Sequence, residues 1–144
     1  MDDNKSMVSY YMRLSPLIID EDDTLLKAMR LMRKYSVNTL SIVKNDNSLI
    51  GYIDKDKVRH AIKAHIKTPS KIRNIKVRDI FKKYRYPVII YPGMELINAY
   101  AVMKCLNLKF MPVVDTPWEK KVVGFLWLDD IKHEAEKYSL KVPV

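Results

Sequence analysis

With 144 residues, 48% of them apolar and 30% charged, the chain has room for one compact domain or for two small units sharing a core, with the composition of a soluble globular protein. No run approaches the roughly 18 apolar residues of a membrane span, the start MDDNKSMVSY lacks the pattern of a signal peptide, and the lone Cys105 rules out an internal disulfide; a reduced, cytoplasmic setting and no membrane partner are expected. The formal net charge is +9, yet Lys55 to Arg85 alone holds twelve Lys or Arg against two Asp, which leaves the rest of the chain at −1.

In chain order, a short strand, PLIID (16–20), leads through an acidic turn into a helix of about twelve residues. Its Leu25, Met29 and Met32 recur at i, i+4 and i+7 as one apolar stripe. The strand TLSIVK (39–44), a polar hairpin loop and the strand LIGYI (49–53) follow, then a helix from Lys55 to about His65. Residues 66–76, with Thr68-Pro69-Ser70, read as a linker. The order then repeats. PVIIY (87–91) runs into Pro92-Gly93, a pair suited to a turn with positive φ at its third position. A helix with Leu96, Tyr100 and Met103, the strands FMPVVD (110–115) and VVGFLWL (122–128), and a helix from Leu128 to about Tyr138 complete the second copy.

The repetition holds residue by residue. At an offset of 71, Pro16 meets Pro87, Ile18 and Ile19 meet Ile89 and Ile90, and Leu25, Ala28, Met32 and Val43 meet Leu96, Ala99, Met103 and Val114. Two extra residues in DTPWEKK move the offset to 73, where Gly51 meets Gly124, Val58 meets Ile131 and His60 meets His133. A βαββα unit of this size cannot cover both faces of its own sheet. The expected fold class is therefore α+β, two pseudo-symmetric βαββα repeats packed sheet to sheet, with the methionine stripes as core.

Several chemistries are excluded. The glycines are Gly51, Gly93 and Gly124, too scattered for a phosphate loop or a dinucleotide fingerprint. His60, His65, His133 and Cys105 form no metal-ligand spacing, so no metal is expected. Asp129-Asp130 stands at a helix start, where acids serve as caps and dipole partners more often than as an acid/base pair. No catalytic residue emerges, and an enzyme is not expected.

The duplicated order, the PVVD strand (112–115) and the Gly-apolar-apolar-x-x-x-Asp-apolar junction in GFLWLDDI (124–131) together resemble a tandem CBS-domain pair, the Bateman module. The resemblance spans roughly residues 8–138, and VRDIF (77–81) resembles the opening of a repeat. It implies a first CBS repeat at 8–65, a linker at 66–76 and a second repeat at 77–138. It further implies a regulatory module that binds an adenosine-containing ligand between its repeats and signals through a homodimer or through an unknown protein partner. AMP, ADP, ATP, S-adenosylmethionine or a cyclic dinucleotide would serve as ligand, with no cofactor required.

In that family the junction reads Gly-x-x-Thr/Ser-x-x-Asp, with Asp on the ribose hydroxyls and Thr or Ser on phosphate. Here the second junction keeps Asp130 but carries Trp127 in the hydroxyl position, while the first carries Asp54 and Lys57 at the two positions. An ionised carboxylate accepts both ribose hydroxyls; an ammonium accepts neither. The resemblance thus implies one ligand site formed by Asp23, Ala28, Val37, Asn38 and Thr39 with Phe125, Trp127, Asp129 and Asp130, where backbone groups near Val37 and Thr39 read the adenine edge. Trp127 either stacks on a base or fills the phosphate space. The opposite, degenerate site would combine Asp54 and Lys57 with Ala99, Leu108, Lys109 and Phe110, and is expected to be empty or repurposed. The alternative is a ligand-free dimerisation or interaction module. The basic stretch 55–85 leaves contact with a polyanion as a third reading, although a solvated helix and linker explain it as well, and nucleic acid is not the expected partner.

Overall fold

The computed structural model describes residues 6–14, 17–81 and 88–139; the Pro16/Pro87 match and the end of the basic stretch lie outside them. By contacts the chain divides into two units. One is Pro16–Pro87, here the first-repeat unit; the other joins Met1–Ser15 to Val88–Val144 and is the second-repeat unit.

In the first-repeat unit, β1 (Ile18–Asp20) pairs in parallel with β2 (Thr39–Val43), and β2 pairs antiparallel with β3 (Leu49–Asp54). Between β1 and β2 lies the helix Leu25–Tyr35, which is α2, because the short α1 (Val8–Tyr11) precedes it in the chain. α3 (Lys55–Ala64) leaves β3 without a break. In the second-repeat unit α5 (Leu96–Cys105) precedes the antiparallel pair β4 (Phe110–Val114) and β5 (Val122–Trp127), and α6 (Leu128–Ser139) closes the copy. Here the first strand of the repeat shrinks to a single parallel bridge, Ile90 to Val113. Mixed helix and strand in this order bear out the α+β reading.

The duplication extends to backbone conformations that side chains rarely adopt. Four non-glycine residues have positive φ: Ser36 (53°), Asn47 (69°), Asn107 (54°) and Lys120 (55°). Ser36 and Asn107, each just past a helix, are 71 apart; Asn47 and Lys120, in the hairpin loops, are 73 apart. Those are the two offsets of the sequence match. The hairpin bulges recur too, between Ile42 and Val43 and between Val113 and Val114.

Each unit also takes in the segment that opens a repeat. Val8 N donates to Met94 O and Ser9 N to Pro92 O, both at 3.0 Å. Val77 N donates to Asp23 O (2.8 Å) and Arg78 N to Glu21 O (2.9 Å) in the matching places. Val8 and Val77 are wholly buried, each burial contributing about 1.5–3 kcal/mol. Val8 sits in a core with Ile90, Leu96, Ala99, Met103, Met111, Val113, Leu126 and Ile131.

Three details differ from the sequence reading. The buried helical stripe is Leu25, Ala28, Met32 and Leu96, Ala99, Met103, at i, i+3 and i+7; Met29 and Tyr100 stand half-buried at its margin. The turn at Pro92-Gly93 exists, with Met94 N donating to Tyr91 O at 3.0 Å, but Gly93 has no positive φ. Backbone bonding of this i to i+3 kind also closes a type I turn, which leaves Gly93 no special conformational duty. Finally, residues 66–76 include a short helix, α4 (Pro69–Ile72), and Ile75 O accepts from Leu25 N at 3.0 Å.

A left-handed residue with a side chain costs about 1–2 kcal/mol, less for Asn than for Ser. Ser36→Gly should therefore raise the unfolding free energy by about 0.5–1 kcal/mol in urea titrations, and Asn107→Gly by a smaller amount.

Candidate functional site

One backbone bond builds each strand-to-helix junction. Lys55 N donates to Asn38 O, and Leu128 N donates to Lys109 O, both at 2.8 Å. Each ties the first amide of a helix, an orphan within that helix, to the chain entering β2 or β4. Cross-strand register then sets Thr39 opposite Asp54 and Phe110 opposite Trp127. Asn38, Thr39, Asp54 and Lys57 in one unit, and Lys109, Phe110, Trp127 and Asp130 in the other, thus gather at the end of the hairpin where the closing helix starts, whereas Asp23 follows β1, whose Asp20 pairs with Val43 at the other end of β2, and Ala28 and Ala99 sit on α2 and α5.

In the first-repeat unit the polar groups already have work. Asp54 is the N-cap of α3, its Oδ1 accepting from Lys57 N at 2.8 Å. Asp23 Oδ2 accepts from Asp20 N and from Lys27 Nζ, both at 3.1 Å. Ala28 is fully buried, Val37 is buried with its amide donated to Met32 O (3.0 Å), and Asn38 is exposed. Lys57 is exposed and lines an open recess of about 580 Å³ with Asp56, His60, Ala61 and Ile80.

The second-repeat unit is different chemically. Trp127 packs on Phe110, ring centroids 4.9 Å apart and planes inclined by 32°, and Phe110 leans on buried Phe125 at 6.3 Å. Such offset aromatic contacts add about 0.5–1.5 kcal/mol beyond area burial. Ala99 is fully buried, Leu108 half-buried, and Lys109 and Asp129 exposed. On the adjoining helices Tyr100 Oη donates to Glu136 Oε1 at 3.2 Å. Partial burial, then that bond and the Glu136 charge, raise the phenol above its ordinary value.

Asp130 lies in the first turn of α6 and is not alone. The guanidinium of Arg13 donates to its Oδ1, while its Oδ2 is shielded from water and has no hydrogen-bond partner among the described residues. Arg13 is held there by its backbone. Its N donates to Phe125 O (2.8 Å) and its O accepts from Phe125 N (2.7 Å), the closed pair of an antiparallel ladder. Gly124 permits this approach, since a Cβ there would lie 3.2 Å from Arg13 O and 3.4 Å from Met12 Sδ. Arg13 is absent from the sequence-derived set. The signal for it was the match of Val8–Arg13 to Val77–Lys82, shifted by 69 residues.

Among the described residues no group of three or more His, Cys, Asp or Glu could hold a metal ion, and no helix is long and apolar enough to cross a membrane.

Comparison with known proteins gives the following. Residues 8–64 match the family model of the CBS domain. An uncharacterised protein of Methanocaldococcus jannaschii is 25% identical over 144 residues, covering 81% of this chain and 83% of its own. Inosine-5'-monophosphate dehydrogenase of the same organism is 25% identical over 115 residues, 80% of this chain but 21% of the enzyme. Among solved structures, a CBS domain pair/ACT domain protein from Thermotoga maritima superposes with a TM-score of 0.71 at 14% identity, covering 92% of this chain and 98% of that one. CBSX2, a CBS-pair protein of Arabidopsis thaliana, in complex with AMP gives 0.67 at 18% over 92% and 98%. The CBS domain pair of a protein in complex with 5-methylthioadenosine and S-adenosyl-L-methionine gives 0.65 at 18% over 92% and 97%.

The capping role of Asp54 has a direct check. Asp54→Ala should destabilise the protein by about 0.5–2 kcal/mol in urea unfolding, and Asp54→Ser should restore most of the loss.

Proposed function

We propose that this chain, whose residues 8–64 match the CBS-domain model and whose fold recurs in solved CBS-domain pairs, is a regulatory module that senses an adenosine-containing ligand. Asp130 accepts the ribose hydroxyls, and the ligand acts by favouring one arrangement of the module, which a dimer or a partner protein then reads. The reading assigns the chain no reaction of its own. The single observation that carries it is the Asp130 carboxylate. It stands at the start of α6 with Oδ2 screened from water and without a hydrogen-bond partner among the described residues, a state that a donor from a bound molecule would relieve. That CBS pairs of like fold are described with AMP, and with 5-methylthioadenosine and S-adenosylmethionine, supports the same ligand class.

The side chains favour one site over two. Asp54 is committed to capping α3, and Lys57 offers a diol no acceptor. Trp127, packed on Phe110, serves as filling in this reading and leaves no hydroxyl for a phosphate.

A second reading, self-association without ligand, rests on a separate observation. Val88, Ala101, Val102, Cys105 and Leu106 form an apolar depression on the second-repeat unit, with Val88 and Leu106 each 46% exposed. In this reading a second copy of this chain covers the depression, patch against patch, as a two-fold interface requires. Leu106→Glu should then turn a dimer into a monomer in sedimentation velocity; an unchanged sedimentation coefficient would remove α5 from the interface.

For the ligand reading, titration calorimetry with AMP, ADP, ATP and S-adenosylmethionine is the test. At least one should bind, and Asp130→Asn should weaken it by about tenfold to a hundredfold. No heat from any of the four would leave the self-association reading in place.

A further inference from the structure

The Arg13–Asp130 pair narrows the ligand class. We infer that Arg13 is the anion-binding group of the Asp130 site, so that the module selects a 5'-phosphorylated nucleoside over the uncharged nucleoside and over thioether or sulfonium adenosyl compounds. This inference rests on the ligand reading above and deepens it.

The first support is capacity. A carboxylate has about four acceptor positions and a guanidinium five donors. The pair with Asp130 Oδ1 uses few of either. Among the described residues Asp130 Oδ2 has no hydrogen-bond partner, and the Arg13 side chain is 62% exposed while that of Asp130 is only 22% exposed. The pair therefore holds an acceptor beside a fork of exposed donors; with Oδ2 shielded from water, a ligand diol reaches it once the Asp130 carboxylate turns outward, while the Arg13 donors meet the anion at the ligand's other end. A lone carboxylate would repel the phosphate it has to tolerate nearby; the guanidinium cancels that charge.

The second support is placement. Arg13 is not a mobile surface cation at its root. Two backbone bonds to Phe125 and the burial of Val8 fix its Cα beside β5, and Gly124 is the residue that lets the strand come so close. Guanidinium groups suit phosphate because their forked donors match its oxygens. Trp127 removes the hydroxyl that the family pattern would give to phosphate. Arg13 supplies a donor within the same unit, from a segment outside that pattern.

The test compares AMP, adenosine and 5'-methylthioadenosine by calorimetry, first on the wild-type protein. AMP should bind about tenfold or more tighter than either neutral compound, and rising salt should erode that preference without touching adenosine. Arg13→Gln should bring AMP down to the level of adenosine while adenosine stays within about twofold, with Arg13→Lys falling between; a thermal melt of each variant checks that it is folded. Equal wild-type affinity for AMP and adenosine overturns the inference and leaves the ligand reading standing. Equal weakening of both ligands by Arg13→Gln also overturns it, since Arg13 would then only position Asp130. Tighter binding of both by the variant overturns it as well, because Arg13 would be a competitor of the ribose. If the wild type binds none of the three, the inference fails, and its parent reading falls with it when ADP, ATP and S-adenosylmethionine give no heat either.

Discussion

A backbone hydrogen bond made twice, donated by Lys55 N to Asn38 O and by Leu128 N to Lys109 O, governs what each junction can present. It joins the entry of one strand to the exit of its partner and starts the closing helix in the same place in both copies. Because it is made by main-chain atoms, it constrains positions and leaves side chains free. The positions on either side of it can therefore differ in character without any change of fold. Asp54 and Lys57 on one side, and Trp127 and Asp130 on the other, are the outcome.

The divergence follows a consistent division between the units. Opposite Asp54 stands Thr39, and the carboxylate caps α3; opposite Trp127 stands Phe110, and the two rings pack. In the first unit the end of the hairpin is spent on helix stability. In the second, aromatic packing secures that end, and the acids of the first turn of α6, Asp129 and Asp130, complement its dipole. Stability of the second junction does not require Asp130 as a cap in the way the first requires Asp54. The Asp130 carboxylate is left to pair with the guanidinium of Arg13.

Much of the architecture was legible in the sequence, for a physical reason. Buried positions such as Ala28 and Ala99, or Met32 and Met103, tolerate few substitutions in size and polarity, so they betray the repeat across 71 residues. The site was less legible. Asp54 matched a ligand position by offset, yet its place just before a helix was equally a capping signal, and the cap is what its oxygen makes. Arg13 lies 117 residues from Asp130, and only the pairing of its backbone with Phe125 brings the two together. Local periodicity carries no trace of such a pairing. The Pro92-Gly93 turn failed in the opposite sense, since the residue types permit a positive φ without demanding it.

The segment that opens the chain and ends at Arg13 belongs, through Val8 and the bonds to Met94 and Phe125, with residues made much later. During synthesis the contiguous unit from Pro16 to Pro87 has all its own strands and helices as soon as it emerges. Residues 8–13 do not. Their partners on β5 follow about 110 residues behind, a delay on the order of ten seconds at ribosomal speed. Through that interval Val8 has no core to enter and Asp130 does not yet exist. The earliest piece of the fold in the order of translation is thus among the last to dock, and it carries the guanidinium that completes the Asp130 pair.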